Sequence, residues 1–206
     1  MPEPRGVGRA KIASEGVVVA EKMGAGFEKK AQIMDSQAMA RAITRISHEI
    51  IEKNKGADGL VLVGVRRRGY PLAQRIAERI REIEGVSIMP EPLDVGFYRD
   101  DVEHTEEDSR DRIGASLDGA TVVLIDDVIC TGRTVRAAID ALFSSGRPRA
   151  VQLAVLVDRG LRELPFRPDY VGKNIPTSHA ERVFVSVAEI DGEDGVIIAQ
   201  DKSRSH

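Results

Sequence analysis

Two kinds of apolar period divide this chain. Short runs at residues 60–65, 122–125 and 149–157 are rich in Val, Leu and Ile and bounded by Gly, Asp or Arg. Runs of this kind read as strands buried on both faces of a parallel sheet. Between them, apolar residues recur at helical spacing: Met39, Ala42, Ile43, Ile46 and Ile50; Leu72, Ile76, Ile80 and Ile83; Val135, Ala138, Ile139 and Leu142. Asp35 or Ser36 caps the first helix, which is expected to run to about Lys53 before the stop signal Asn54-Lys55-Gly56. The second is expected to start near Pro71. Strands alternating with helices, without an internal repeat, predict a single doubly wound α/β domain over residues 34–206.

The rest of the pattern is weaker. Residues 86–89 and 93–98 read as two further strands joined through Pro90-Glu91-Pro92, and residues 159–180 as irregular chain. A closing pair of strands at 182–190 and 195–200, linked by an Asp191-Gly192-Glu193-Asp194 turn, is expected to add a small hood-like subdomain. Residues 1–33 read as an N-terminal extension without chemistry. Residues 100–118 are acidic and lack an apolar period. A loop of that length within a domain is either a functional lid or a disordered link; a flexible lid suits a reaction that must exclude water.

Composition narrows the class. The formal net charge of −3 argues against indiscriminate nucleic-acid binding while leaving room for a local basic patch. A single cysteine cannot form an internal disulfide, which fits a cytoplasmic protein. No apolar run approaches membrane-spanning length, and no membrane partner is expected.

The chemistry concentrates after the run at 122–125. Asp126 and Asp127 stand at its carboxyl end, where ligands of open α/β sheets bind. Val128 and Ile129 lead into Cys130-Thr131-Gly132-Arg133-Thr134, which opens the third helix. Backbone N–H groups, two hydroxyls, a glycine and a helix N-terminus make a cradle for a phosphate dianion. The two carboxylates would repel that phosphate; they suit the hydroxyls of an attached sugar, or a divalent cation beside it. A sugar 5-phosphate with free hydroxyls is the ligand these residues predict. Arg66-Arg67-Arg68-Gly69, at the end of the strand at 60–65, would face the same crevice, and a pyrophosphate supplies the charge such a cluster needs. On the first helix, Arg41, Thr44, Arg45 and His48 fall opposite the core stripe; that face is either a solvated surface or a phosphate-contacting one.

The run from Val122 to Val135 closely resembles the phosphoribosyl-pyrophosphate (PRPP) signature of type I phosphoribosyltransferases. Thr44-Arg45-Ile46-Ser47-His48-Glu49, Phe97-Tyr98-Arg99-Asp100-Asp101, Leu153 to Gly160, Arg162-Glu163-Leu164-Pro165 and Asp169 to Ser178 narrow the resemblance. Together they resemble the PyrR family of bifunctional pyrimidine operon attenuators and uracil phosphoribosyltransferases, over nearly everything from about Met34 to Gln200. The resemblance implies a type I phosphoribosyltransferase fold: a central, mostly parallel sheet flanked by helices, with a hood and a flexible loop over the site. It implies two activities. One is transfer from PRPP to uracil with Mg²⁺, giving UMP and diphosphate. The other is binding of pyrimidine-gene mRNA leader in response to UMP or UTP, through the single-stranded loop of a hairpin, favouring transcription termination. A homodimer or larger oligomer is also implied.

Carried over by position, Asp126, Asp127 and residues 128–134 hold PRPP or nucleotide, with Mg²⁺ at Asp126 and Asp127 directly or through PRPP. Arg67, Arg68 and Gly69 form the pyrophosphate loop, Arg99 approaches the phosphates, and the base lies near Asp158 and Arg159. Arg68, Arg99, Asp126 and Asp127 are the catalytic candidates; Thr44, Arg45, His48, Arg162, Arg167 and Lys173 are those for RNA. Arg67, Cys130 and Leu161 stand where the family usually carries Thr, Tyr and His. A nucleotide-sensing RNA binder with little catalysis, and a transferase for another base, remain the alternatives.

Overall fold

In the computed structural model, which describes residues 26–98 and 113–204, the chain runs as follows. Strand β1 (Phe27–Met34) leads to α1 (Ser36–Asn54), β2 (Leu60–Val65), α2 (Gly69–Glu84), β3 (Glu91–Leu93) and β4 (Thr121–Ile129). There follow α3 (Arg133–Ser145), β5 (Ala150–Asp158), β6 (Tyr170–Asn174), β7 (Glu181–Ser186), the short α4 (Ala188–Asp191) and β8 (Gly195–Asp201). Five strands form a parallel sheet in the order β3-β2-β4-β5-β6, and β1-β8-β7 form a separate antiparallel sheet, the hood. This is the fold expected from the alternating pattern.

Alternation along β4 explains its unbroken apolar run. Val123 and Ile125 enter the core shared with Ile46 of α1 and Ile76 of α2, whereas Val122 and Leu124 enter the core shared with Ala138 and Leu142 of α3. Both faces of the strand are therefore covered by helices. The stripe predicted for α1 is buried throughout, and the Asp35 carboxylate accepts the Ala38 N–H at 2.7 Å as the expected cap. In α2 the start lies at Gly69 rather than near Pro71, and Ile83 is exposed.

Several expected elements differ, each for a local reason. Residues 86–89 form no strand; β3 instead spans Glu91–Leu93 at the sheet edge, where Pro92 is tolerated without a ladder N–H. The strand expected to reach residue 98 stops at Leu93, because the Asp94 carboxylate accepts the Gly96 N–H at 2.8 Å and a 3₁₀ turn follows. The stretch read as irregular contains β6. The strand expected to reach residue 190 ends at Ser186, since Asp191 and Asp194 accept the Val187 and Ala188 N–H groups at 2.9 and 2.8 Å and nucleate α4. Part of the stretch read as an extension is the hood strand β1, paired with β8. At the end of the expected lid, Leu117 is buried and the Gly114 N–H donates to Glu91 at 3.1 Å. Residues 1–25 and 99–112, most of that lid among them, lie outside the described residues.

Candidate active site

The register of the sheet opens the site. Pairing of β2 with β4 stops at Gly64 and Ile125, while β4 continues beside β5 as far as Ile129 and Asp158. Asp126 and Asp127 therefore lie just past the last rung shared with β2. They belong to the strand, which is longer than its apolar run indicated. The Asp126 carboxylate accepts the Asp127 N–H, and the Asp127 carboxylate the Val128 N–H, each at 2.9 Å. Burial pushes the Asp127 carboxyl above the ordinary carboxylate range, against the opposing pull of the Asp126 side chain and of the Arg68 charge.

Arg68 comes to this edge by close backbone packing. A Cβ on Gly64 would lie 2.4 Å from the Tyr70 Cα, and one on Gly69 would lie 2.4 Å from the Ile125 carbonyl oxygen. Gly69 thus lets the chain fold onto β4, a role beyond the access to pyrophosphate expected of it. The Arg66–Arg67 peptide is cis. The Arg68 guanidinium grips Asp191 with Nε and Nη2, each at 3.0 Å, and this hydrogen bonding with the charges of Asp191 and Asp127 raises its pKa against the effect of burial. The sequence marks Asp191 only as a turn residue. Its chemistry was hidden in the sequence because a run of Asp, Gly and Glu carries only a turn signal.

The phosphate-loop candidate is braced from behind. Glu163 and Leu164 donate their N–H groups to the Thr131 carbonyl at 3.0 and 2.9 Å. Gly132 has φ 94°, and a Cβ there would meet Phe166 at 3.1 Å. Gly132 precedes α3, whose first N–H groups have no intrahelical acceptor. Arg133 pairs with Glu163 at 2.9 Å. Val128 is partly buried against the larger core, and Ile129 is buried with α3; the Ile129 side chain therefore faces the core. A cleft of about 300 Å³ lies between this loop and the hood, lined by Cys130, Thr131, Arg159, Leu161, His179 and Glu181 among others.

The base-site candidates serve the frame as well. Asp158 pairs with Arg162 at 2.6 Å, and Arg159 reaches Thr177 and the carbonyls of Ser178 and Glu181 at 2.9, 3.2 and 2.7 Å. Arg162 also donates to the carbonyls of Cys130, Gly160 and Phe166 at 2.9, 3.1 and 2.8 Å, so this RNA candidate braces the loop that opens α3. Arg41, Thr44, Arg45 and His48 share a shallow groove of about 470 Å³ on α1. Arg45 is held there by Glu49 and by the carbonyls of Val171 and Gly172 on β6. Arg167 and Lys173 are exposed, in the chain leading to β6 and on β6 itself. Arg99 lies outside the described residues.

A family model described as "Phosphoribosyl transferase domain" matches residues 29–189. The bifunctional protein PyrR of Clostridioides difficile (strain 630) is 56% identical over 175 residues, 84% of this chain and 99% of that one. PyrR of Acetivibrio thermocellus is 57% identical over 173 residues, covering 82% and 94%. Among solved structures, the hypoxanthine phosphoribosyltransferase of Trypanosoma cruzi superposes with a TM-score of 0.64 at 19% identity, covering 84% and 98%. A hypoxanthine-guanine phosphoribosyltransferase of Bacillus anthracis does so with 0.62 at 17% identity, covering 84% and 98%. The fold thus extends to purine enzymes, whereas the sequence follows one branch: the chain belongs to the phosphoribosyltransferase family and, within it, to the PyrR family of bifunctional proteins.

Proposed function

We propose that this protein transfers the phosphoribosyl group of PRPP to uracil and, in its uridine-nucleotide-bound form, binds the leader of pyrimidine-gene mRNA. The observation that carries the transferase reading is the placement of Asp126 and Asp127 past the last β2 rung, between the loop that opens α3 and Arg68. In this reading the 5-phosphate sits on Cys130, Thr131, Gly132, Arg133 and Thr134 at the α3 N-terminus. Ribose hydroxyls donate to Asp126 and Asp127, and the pyrophosphate extends toward Arg67, Arg68, Gly69 and Arg99. Uracil lies in the cleft near Asp158 and Arg159.

The ring nitrogen N1 of uracil forms its bond to ribose C1 as the C1–O bond breaks; the diphosphate leaves with that electron pair and takes up the N1 proton. Charge builds on the departing oxygen, where a preoriented guanidinium acts most strongly. No side-chain nucleophile is required; the site holds the two reactants in line and excludes water. Two adjacent carboxylates with substrate oxygens fit Mg²⁺, which takes one or two carboxylates and completes its shell from phosphate and water. When bound, Mg²⁺ neutralises the pyrophosphate charge.

The same assignment puts RNA on the exposed face of α1 at Thr44, Arg45 and His48, with Arg167 and Lys173 nearby in the β6 region. Arg162 enters only as a brace. No helix among the described residues is long and apolar enough to cross a membrane, and we assign the protein to the cytoplasm, as a homodimer or larger oligomer.

The test is UMP formation from uracil, PRPP and Mg²⁺, with hypoxanthine as the competing base. Turnover with uracil alone supports the reading, and turnover with hypoxanthine alone overturns the base assignment. Asp126→Asn with Asp127→Asn should weaken PRPP binding by about 100-fold or more, since hydrogen bonds to charged groups contribute roughly 1.5–3 kcal/mol each. Retained affinity in a titration would remove the two acids from the ribose site.

A further inference from the structure

Arg68 presents two hydrogen-bonding edges, and among the described residues one of them is engaged. Its Nε and Nη2 donate side-on to Asp191, each at 3.0 Å. Among the described residues, Nη1 makes no hydrogen bond. The end-on edge made by Nη1 and the second Nη2 proton thus remains on a side chain that is 32% exposed, whereas the Asp191 side chain is 4% exposed. A guanidinium forms a rigid planar fork, so fixing one edge fixes the direction of the other.

Asp191 is itself held fast. Its Oδ2 accepts the Val187 N–H at 2.9 Å, and it sits in α4 of the hood. One turn beyond, Asp194 caps Ala188 and, with Glu189, takes both sides of Arg75 on the same α2 helix that follows Arg68. The α4 segment is thereby clamped onto α2 at two points, and Asp191 is the one that reaches the loop between β2 and α2.

We propose that Asp191 is a positioning residue for the transferase reaction: it orients Arg68 from the hood so that the second edge of the guanidinium receives the pyrophosphate of PRPP. The inference rests on the transferase reading and adds a residue from outside the PRPP motif and the β2–α2 loop. It makes a distinction among ligands. PRPP and inorganic pyrophosphate need the oriented fork, whereas UMP, which carries only the 5-phosphate, does not.

The experiment compares Asp191→Asn with the wild-type chain in titrations with PRPP, inorganic pyrophosphate and UMP, each with Mg²⁺. Asn keeps an oxygen for the Val187 N–H and removes the charge that grips Arg68. Asp194→Asn loosens the neighbouring clamp without touching Arg68 and serves as the control. We expect Asp191→Asn to weaken PRPP and pyrophosphate about tenfold while UMP stays within about twofold, with both values unchanged in Asp194→Asn. Asp191→Glu should recover part of the loss, and in an Arg68→Ala background Asp191→Asn should add nothing. Equal losses for UMP and PRPP, or no loss for either, would overturn the proposal. If Asp191→Asn does not fold, Asp191→Glu decides: PRPP weakened with UMP spared supports it, and any other pattern overturns it. A wild-type chain that binds neither PRPP nor pyrophosphate would instead sink the transferase reading beneath it.

Discussion

At the scale of single residues, the site depends as much on absent atoms as on present ones. Arg68 reaches the carboxylate edge only because Gly64 and Gly69 leave no Cβ between the loop and β4. In Gly69→Ala the new methyl would lie 2.4 Å from the Ile125 carbonyl oxygen and 3.2 Å from the Asp126 Cα, both backbone atoms that cannot swing aside. Overpacking of this kind costs about 1–3 kcal/mol. Denaturant unfolding of Gly69→Ala should show that loss, and PRPP affinity should fall with it as Arg68 is displaced. Unchanged stability would mean that the loop has another path over β4. Arg162 teaches a related lesson. An arginine in a basic-looking stretch reads as a surface charge, yet Nε, Nη1 and Nη2 of Arg162 each donate inward, to Asp158 and to the carbonyls of Cys130, Gly160 and Phe166.

At the scale of elements, what was legible in the sequence was what has a period or a motif. The stripes of α1 and α3, the buried runs of β2, β4 and β5, and the order Asp-Asp, phosphate loop, helix could all be read from spacing and residue type. What was not legible depended on partners distant in sequence. The strand β1 has only a weak alternation and exists by pairing with β8; β6 exists by pairing with β5; α4 forms because two later carboxylates cap it. Asp191 was hidden for the same reason, since nothing local separates a turn aspartate from one that grips Arg68. The outer face of α1 now admits a sharper test. Arg45 is partly structural, through the β6 carbonyls, whereas Thr44 bonds within its own helix to the Ala40 carbonyl at 3.0 Å and His48 is exposed. Thr44→Ala with His48→Ala should therefore weaken leader RNA binding about tenfold or more while leaving UMP synthesis unchanged, read by filter binding beside the transferase assay. Equal loss of both activities would point to damage in α1 rather than to a contact surface.

At the scale of the whole molecule, the hood and the sheet respond to acid in opposite directions. The Glu189 carboxyl lies below its ordinary value of 4.5, first because Arg75 donates to it, and the Glu181 carboxyl does so first because Lys30 does. A depressed folded-state pKa gives stability that is present above the unfolded value and lost as pH falls through the folded one. Asp127 has the reverse sign. Its raised carboxyl weakens the folded state as pH climbs from the unfolded value through the folded one, and acid relieves it. Lowering the pH through about 4.5 and below should therefore loosen the hood while the strain at Asp127 is relieved. Hydrogen-exchange protection factors should fall first in β7, β8 and α4, with β4 and β5 still protected. Glu189→Gln should flatten part of that dependence, and only part, because the Glu189 side chain is 43% exposed and Asp194 still holds Arg75. Simultaneous loss of protection in both sheets would mean that the clamps joining α4 to α2 make hood and sheet a single cooperative unit. In that case a hood substitution could not loosen the grip on Arg68 without unfolding the loop before α3 too. The opposite result leaves the hood a separable element, able to set the direction of Arg68 while β4 and the loop before α3 stay fixed.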